Sequence, residues 1–133
     1  MIASRLGLAA VCCAFGALRC SYEYHCIEIQ PAYSGTVQLP APYAYYGTRN
    51  DGPGSFGGDW TLPGSPDPIC AVSEGKDESW TLVAWIFPPD GIGCPPTVAR
   101  CAPNPQDPQG ATDFIFKKSG TTVVQVTISD PSP

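Results

Sequence analysis

The sequence predicts an all-β fold, an antiparallel β-sandwich supported by disulfide bonds. The 133 residues include 14 Gly and 16 Pro, and this share of about a fifth argues against long helices. No segment after residue 20 keeps an apolar period of 3.6 residues, whereas several short segments have the character of strands. Six to eight such segments follow one another at the close spacing that is typical of a β-sandwich.

The segment Ser79–Phe87 is predicted to be a central strand of a sheet. It contains no Gly, no Pro and no formal charge, a charged turn at residues 74–78 precedes it, and Pro88 and Pro89 end it. Its alternating residues are largely apolar on both faces, so we expect both faces to be buried against other parts of the protein. One face presents Trp80, Leu82, Ala84 and Ile86, and the other presents Thr81, Val83, Trp85 and Phe87.

Shorter segments predict the remaining strands. We expect the last two strands to form a hairpin, because Gly120 between them favours a tight turn. In the last strand the alternate residues Val124, Val126 and Ile128 are expected to face inward. The predicted strands are Tyr22–Ile29, Tyr33–Leu39, Ile69–Val72, Thr97–Arg100, Thr112–Lys117 and Thr121–Ser129.

Residues 1–20 are predicted to be a secretory signal peptide, and residues 21–133 a single β-sandwich domain. Arg5 precedes the thirteen-residue apolar run Leu6–Leu18, which is too short to span a bilayer. An uncleaved membrane anchor and a buried core segment are the alternatives. We expect a secreted protein with no stable membrane span after cleavage.

The cysteines support export. Cleavage after Cys20 leaves four of the seven cysteines, and an even number in an exported domain predicts two disulfides. Three pairings are possible, and the proline-rich loop between Cys94 and Cys101 favours Cys94–Cys101 together with Cys26–Cys70. A zinc site is the rival interpretation, but close cysteine pairs are lacking and His25 is the only histidine.

The predicted domain is acidic. Without Arg5 and Arg19 it keeps five of the seven basic residues and all twelve carboxylates, which gives a formal charge of −7. Such a surface does not attract the phosphates of nucleic acid, and we expect no nucleic-acid partner.

Residues 41–68 are predicted to form a glycine-rich loop that displays aromatic side chains. Flat apolar rings on such a loop can stack on a sugar ring or on a protein surface. Alternatively, the rings attach an irregular loop to the sheet. The candidate ligand-binding residues are Tyr43, Tyr45, Tyr46, Phe56 and Trp60.

The order SWTLVAWIFPP, TVARC and DFIFKKSGTTVVQVTISD resembles the laminin-G/concanavalin A-like jelly-roll, and in particular the lectin-like domain of N,N-dimethylformamidase-type proteins. The resemblance covers residues 79–130 and is carried by strands and turn residues. It implies a jelly-roll-like binding module, trimmed or incomplete because such domains run longer, without the family's separate amide-hydrolysing domain. It also implies carbohydrate or Ca²⁺ binding at loop edges, for which the candidate ligands to Ca²⁺ are Asp51, Asp59, Asp107 and Asp113.

No catalytic pattern is complete. One histidine and no Gly-x-Ser-x-Gly sequence exclude the usual hydrolase triad, and no two glutamates are placed across a cleft by their spacing. We expect a secreted, non-catalytic binding or adhesion module without a cofactor, with a glycan or protein surface as its partner. The alternatives are a structural β-domain that packs with another chain and a small carboxylate-dependent hydrolase using two of Glu23, Glu28, Glu74 and Glu78.

Intact mass of the protein recovered from the culture medium tests export. We expect the loss of about twenty N-terminal residues and no alkylation under non-reducing conditions, because the four remaining cysteines are then bridged. Reduction before alkylation is the control and should add four alkyl groups. A retained N-terminus or a reactive thiol would contradict the prediction.

Overall fold

The computed structural model describes residues 23–87 and 103–132, and every regular element within them is a β-strand. The strands form two sheets, with the orders β4-β1-β7 and β3-β2-β5-β6, and confirm the all-β sandwich. The predicted signal peptide and the predicted strand Thr97–Arg100 lie outside the described residues. The strands are β1 (Tyr24–Tyr33), β2 (Ala41–Arg49), β3 (Ser55–Leu62), β4 (Ile69–Val72), β5 (Glu78–Ile86), β6 (Gln109–Phe116) and β7 (Gly120–Ile128).

The core lies between the two sheets. In β7 the alternate residues Val124, Val126 and Ile128 are at most 3% exposed and face inward, as predicted. From β1 of the same sheet, Ile27 and Ile29 join them. The opposing sheet contributes the buried side chains of Tyr43, Tyr45, Leu62, Trp80, Leu82, Ala84, Ile86 and Phe116.

Strand β5 occupies the central position that the sequence predicts. It pairs with β2 on one side and with β6 on the other, both antiparallel. Its inner row belongs to the main core, and on its outer face Trp85 is 3% exposed and packs with Ala44 in a second cluster. Both faces of β5 are therefore largely covered.

The three-stranded sheet joins distant parts of the chain. β1 is parallel to β7, with His25 opposite Gly120 and Tyr33 opposite Ile128. β1 is antiparallel to β4, and the disulfide Cys26–Cys70 links residues that lie directly opposite each other. This disulfide confirms one predicted pair, whereas Cys94 and Cys101 lie outside the described residues.

The predicted strand Tyr33–Leu39 is wrong, because side chains take the backbone N–H groups that a sheet would need. The Thr36 N–H donates to a carboxylate oxygen of Asp130 over 2.8 Å, and the Val37 N–H donates to the Tyr33 hydroxyl over 2.8 Å. The Tyr33 hydroxyl in turn donates to Asp130 over 2.5 Å, which fastens the β1–β2 connection to the segment after β7.

The predicted hairpin of the last two strands is also wrong. β6 pairs with β5, while β7 pairs with β1 in the other sheet. The turn at Gly120, whose φ of 75° suits a glycine, therefore carries the chain from one sheet to the other. Only an isolated bridge between Gln109 and Ser129 joins β6 to the end of β7 among the described residues.

The described residues contain no helix of the length and apolar character needed to cross a membrane.

Replacing Leu82 with Ala tests the core. Leu82 is fully buried in the inner row of β5, so we expect the free energy of unfolding to fall by about 2–5 kcal/mol. Val123→Ala is the control, because Val123 is 51% exposed on the outer face of β7 and should change stability by about 0.5 kcal/mol or less. Equal losses in denaturant titrations of the two variants would contradict this core.

Candidate binding cleft

A cleft of about 500 Å³ opens between the edge strands of the two sheets, β3 and β4. Most of its surface is apolar and comes from aromatic and aliphatic side chains. Four ionisable side chains also line it, and three of them form one group around Arg49, which we call the polar end. The apolar walls include Phe56, Ile69, Ala71, Val72, Trp80 and Phe116, and the ionisable groups are His25, Arg49, Glu74 and Glu78.

The aromatic wall is a continuous row of rings. The Phe56 and Trp80 ring centroids are 5.4 Å apart, and Phe116 meets Trp80 edge-on at 6.0 Å. Phe56 has room to turn inward because its partner across the β2–β3 ladder is Gly47, where a Cβ atom would overlap the Phe56 ring. The wall therefore depends on a glycine in β2.

The polar end is built around Arg49, whose side chain is 6% exposed. Its Nε donates to Asp51 over 2.7 Å, and its Nη1 donates to Glu74 over 3.1 Å and lies 3.6 Å from Glu78. Glu78 also accepts a hydrogen bond from Nε1 of Trp80 over 2.9 Å. One guanidinium thus contacts three carboxylates.

The carboxylate of Asp51 also organises the backbone at this end. Its second oxygen accepts the N–H of Ser79 over 3.0 Å, at the start of β5. The hydrogen bond from Arg49, followed by the one from Ser79, lowers the pKa of Asp51 below its usual value.

His25 is 2% exposed and lines the cleft beside Phe116. The two rings stack with centroids 3.6 Å apart. Nδ1 of His25 lies 2.8 Å from the carbonyl oxygen of Lys117, and since a carbonyl only accepts, Nδ1 is the donor. Nε2 has no hydrogen-bond partner among the described residues. Since no fully buried side-chain nitrogen or oxygen of the described residues lacks a partner, Nε2 is not fully buried.

The predicted glycine-rich loop is wrong, because residues 41–49 and 55–62 form the paired strands β2 and β3. Gly58 of β3 makes room for a ring rather than for a turn, because a Cβ there would lie 2.5 Å from the Tyr45 hydroxyl. The only positive φ among the glycines of this region is at Gly54, in the connection between the strands.

The five aromatic candidates do not form one surface. Tyr43 is fully buried and Tyr45 is 8% exposed, Tyr46 lies on the opposite face of β2, Phe56 lines the cleft, and Trp60 is 42% exposed. Burial raises the pKa of both Tyr43 and Tyr45, and the Tyr43 hydroxyl donates to the Gly64 carbonyl over 3.2 Å. These two tyrosines belong to the core.

The four aspartates considered for Ca²⁺ are not brought together. Asp51 contacts Arg49, Asp107 accepts the N–H of Asn104, Asp113 accepts the Thr81 hydroxyl, and Asp59 lies on β3. Within residues 23–87 and 103–132, no group of three or more His, Cys, Asp or Glu side chains could hold a metal ion.

Sequence reasoning did not identify the polar end of the cleft. The available signal was the alternation of side chains along a strand. Once β2 is known, Arg49 lies on the same inward face as Tyr43 and Tyr45, which are an even number of residues away. An arginine that faces inward requires carboxylates nearby, because an unpaired buried charge is costly.

Comparison of the chain with family models, curated proteins and solved structures found no match.

Replacing Asp51 with Asn should lower the free energy of unfolding at neutral pH. The pKa of Asp51 is lowered in the folded state, so its contribution is fully present above the unfolded value of about 3.9 and is lost as the pH falls through the folded value. Urea unfolding of both proteins between about pH 2 and pH 7 should show the difference shrink on acidification. Asp67→Asn, at an exposed position, is the control. A difference that is independent of pH would contradict the role of the ionised carboxylate.

Proposed function

We propose that this chain is a secreted, non-catalytic binding module whose ligand enters the cleft between β3 and β4. The observation that carries the proposal is the cleft itself, about 500 Å³ with Phe56, Trp80 and Phe116 on its wall. Ligand pockets in proteins have this size, and they combine mainly apolar walls with a few polar groups that orient the ligand.

The disulfide Cys26–Cys70 supports secretion. Structural disulfides persist in oxidising compartments and are rare in the cytosol. A signal peptide over residues 1–20 would bring the domain to such a compartment.

The arrangement of the glutamates favours binding over hydrolysis. Glu74 and Glu78 both approach the same nitrogen, Nη1 of Arg49, at 3.1 and 3.6 Å. A glycosidase instead places its two carboxyl groups on either side of the bond that it cleaves. The two glutamates of the cleft instead approach one nitrogen of the arginine.

Carbohydrate binding is a second candidate, and it rests on a different place. Trp60 is 42% exposed on the edge strand β3, in a shallow depression shared with Pro42, Asp59 and Thr61. An exposed indole can stack on a sugar ring while a neighbouring carboxylate accepts hydrogen bonds from its hydroxyls.

Titration with 2-phenylethanol, followed by NMR chemical shifts, tests the cleft. We expect shifts at Phe56 and Trp80, and a loss of affinity of about 5- to 10-fold in Phe56→Ala, because the variant removes a ring face that the probe would cover. Trp60→Ala is the matched control and should leave this affinity unchanged.

The outcomes separate the two candidates. Absence of shifts at the cleft would overturn the proposed binding site. Binding of a soluble oligosaccharide that is lost in Trp60→Ala and kept in Phe56→Ala would place the ligand at the second site. Thermal unfolding of each variant verifies that it is folded.

A further inference from the structure

We propose that the cleft selects amphiphiles whose polar end is a protonated amine and whose body is aromatic or aliphatic. This inference rests on the proposed function and adds the class of ligand. Three features of the cleft carry it: the charge of its polar end, the aromatic rings beside that end, and the Nε2 nitrogen of His25.

The charge of the polar end favours a cation. Arg49 is shared by three carboxylates, those of Asp51, Glu74 and Glu78. A bound anion would meet an arginine that already serves three carboxylates. A bound ammonium would instead be attracted by these carboxylates. Lys117 pairs with a carboxylate outside this group: its side chain is 61% exposed, and its Nζ lies 3.7 Å from Asp77.

The rings next to the charged group suit an ammonium as well. Trp80 donates its Nε1–H to Glu78, which places the indole at the boundary between the apolar wall and the carboxylates. Phe56 lies 5.4 Å from Trp80 and Phe116 lies 6.0 Å from it, so their faces and edges surround one region. Aromatic faces attract cations, and the attraction grows where water is excluded.

His25 lines the same cleft, beside Phe116. Because Nδ1 donates to the Lys117 carbonyl, the lone pair of the ring lies on Nε2 whenever His25 is neutral. The ring is 2% exposed and is held by its stack on Phe116. An ammonium or another N–H donor could bind this lone pair, whereas a carboxylate has nothing to donate to it.

Three probes of similar size separate the contribution of ligand charge to affinity from that of apolar burial: 2-phenylethylamine, 2-phenylethanol and 3-phenylpropionate. We expect the amine to bind about 5-fold more tightly than the alcohol, and the carboxylate to bind most weakly. Affinities would be measured at neutral pH by NMR titration of the disulfide-bonded protein.

Glu74→Gln tests the carboxylates, because Glu74 is the more accessible of the two glutamates, with 21% of its side chain exposed. We expect the amine to lose affinity about 5-fold and the alcohol to stay within about 2-fold. Glu28→Gln on the outward face of β1 is the matched control and should change neither. Phe56→Leu keeps an apolar wall without the ring, so it should reduce the preference for the amine over the alcohol.

The outcomes distinguish failure of the inferred ligand class from failure of the proposed binding cleft. Equal or tighter binding of the alcohol or the carboxylate would overturn the inferred ligand class and leave the binding cleft in place. An amine preference that survives unchanged in both Glu74→Gln and Phe56→Leu would also overturn it. Absence of binding by all three probes would overturn the binding cleft and, with it, the ligand class.

Discussion

Mutual burial of the two inward sheet faces is the constraint on which this structure depends. Neither sheet can leave its inner row in water, because these rows consist of large apolar side chains such as Ile27, Tyr43, Leu82 and Ile128. The four-stranded sheet supplies most of the aromatic volume, and the three-stranded sheet covers it with β-branched and aliphatic residues. The glycines opposite Tyr45 and Phe56 let these rings fill the space between the sheets.

The cleft exists where this constraint is not fully met. β4 has four residues, whereas β3, the edge strand that faces it across the sandwich, has eight. The shorter edge leaves part of the inner surface beside Phe56 and Trp80 uncovered by backbone. Arg49, at the end of β2, lines this opening, and its carboxylate partners compensate a charge that a closed core would exclude. The part of the inner sheet surface that backbone does not cover is thus also the part that contains the ion pairs of Arg49.

The sequence predicted the fold class, the central strand β5, the inward row of β7 and the pair Cys26–Cys70, because each has a local signal in alternation or spacing. It did not predict β2 and β3, because their prolines and glycines are typical of a loop. Their strand conformation is instead determined by pairing, since β2 has a partner strand on each side, and by the packing of aromatic rings against glycines. Of the candidate site, only Phe56 was named for binding. The remaining members, including Arg49 and Glu78, are brought together by pairing between strands that are distant in the sequence.

The parallel pairing of β1 with β7 connects residues 95 positions apart, such as His25 and Gly120. During synthesis, β1 emerges from the ribosome long before its neighbour in the sheet has been made. The three-stranded sheet, and the histidine side of the cleft with it, can therefore assemble only after nearly the whole described chain has been released. Contacts of such long range make folding slow. The four-stranded sheet can pair without β7, so the order of the strands along the chain separates the completion of the two sheets in time.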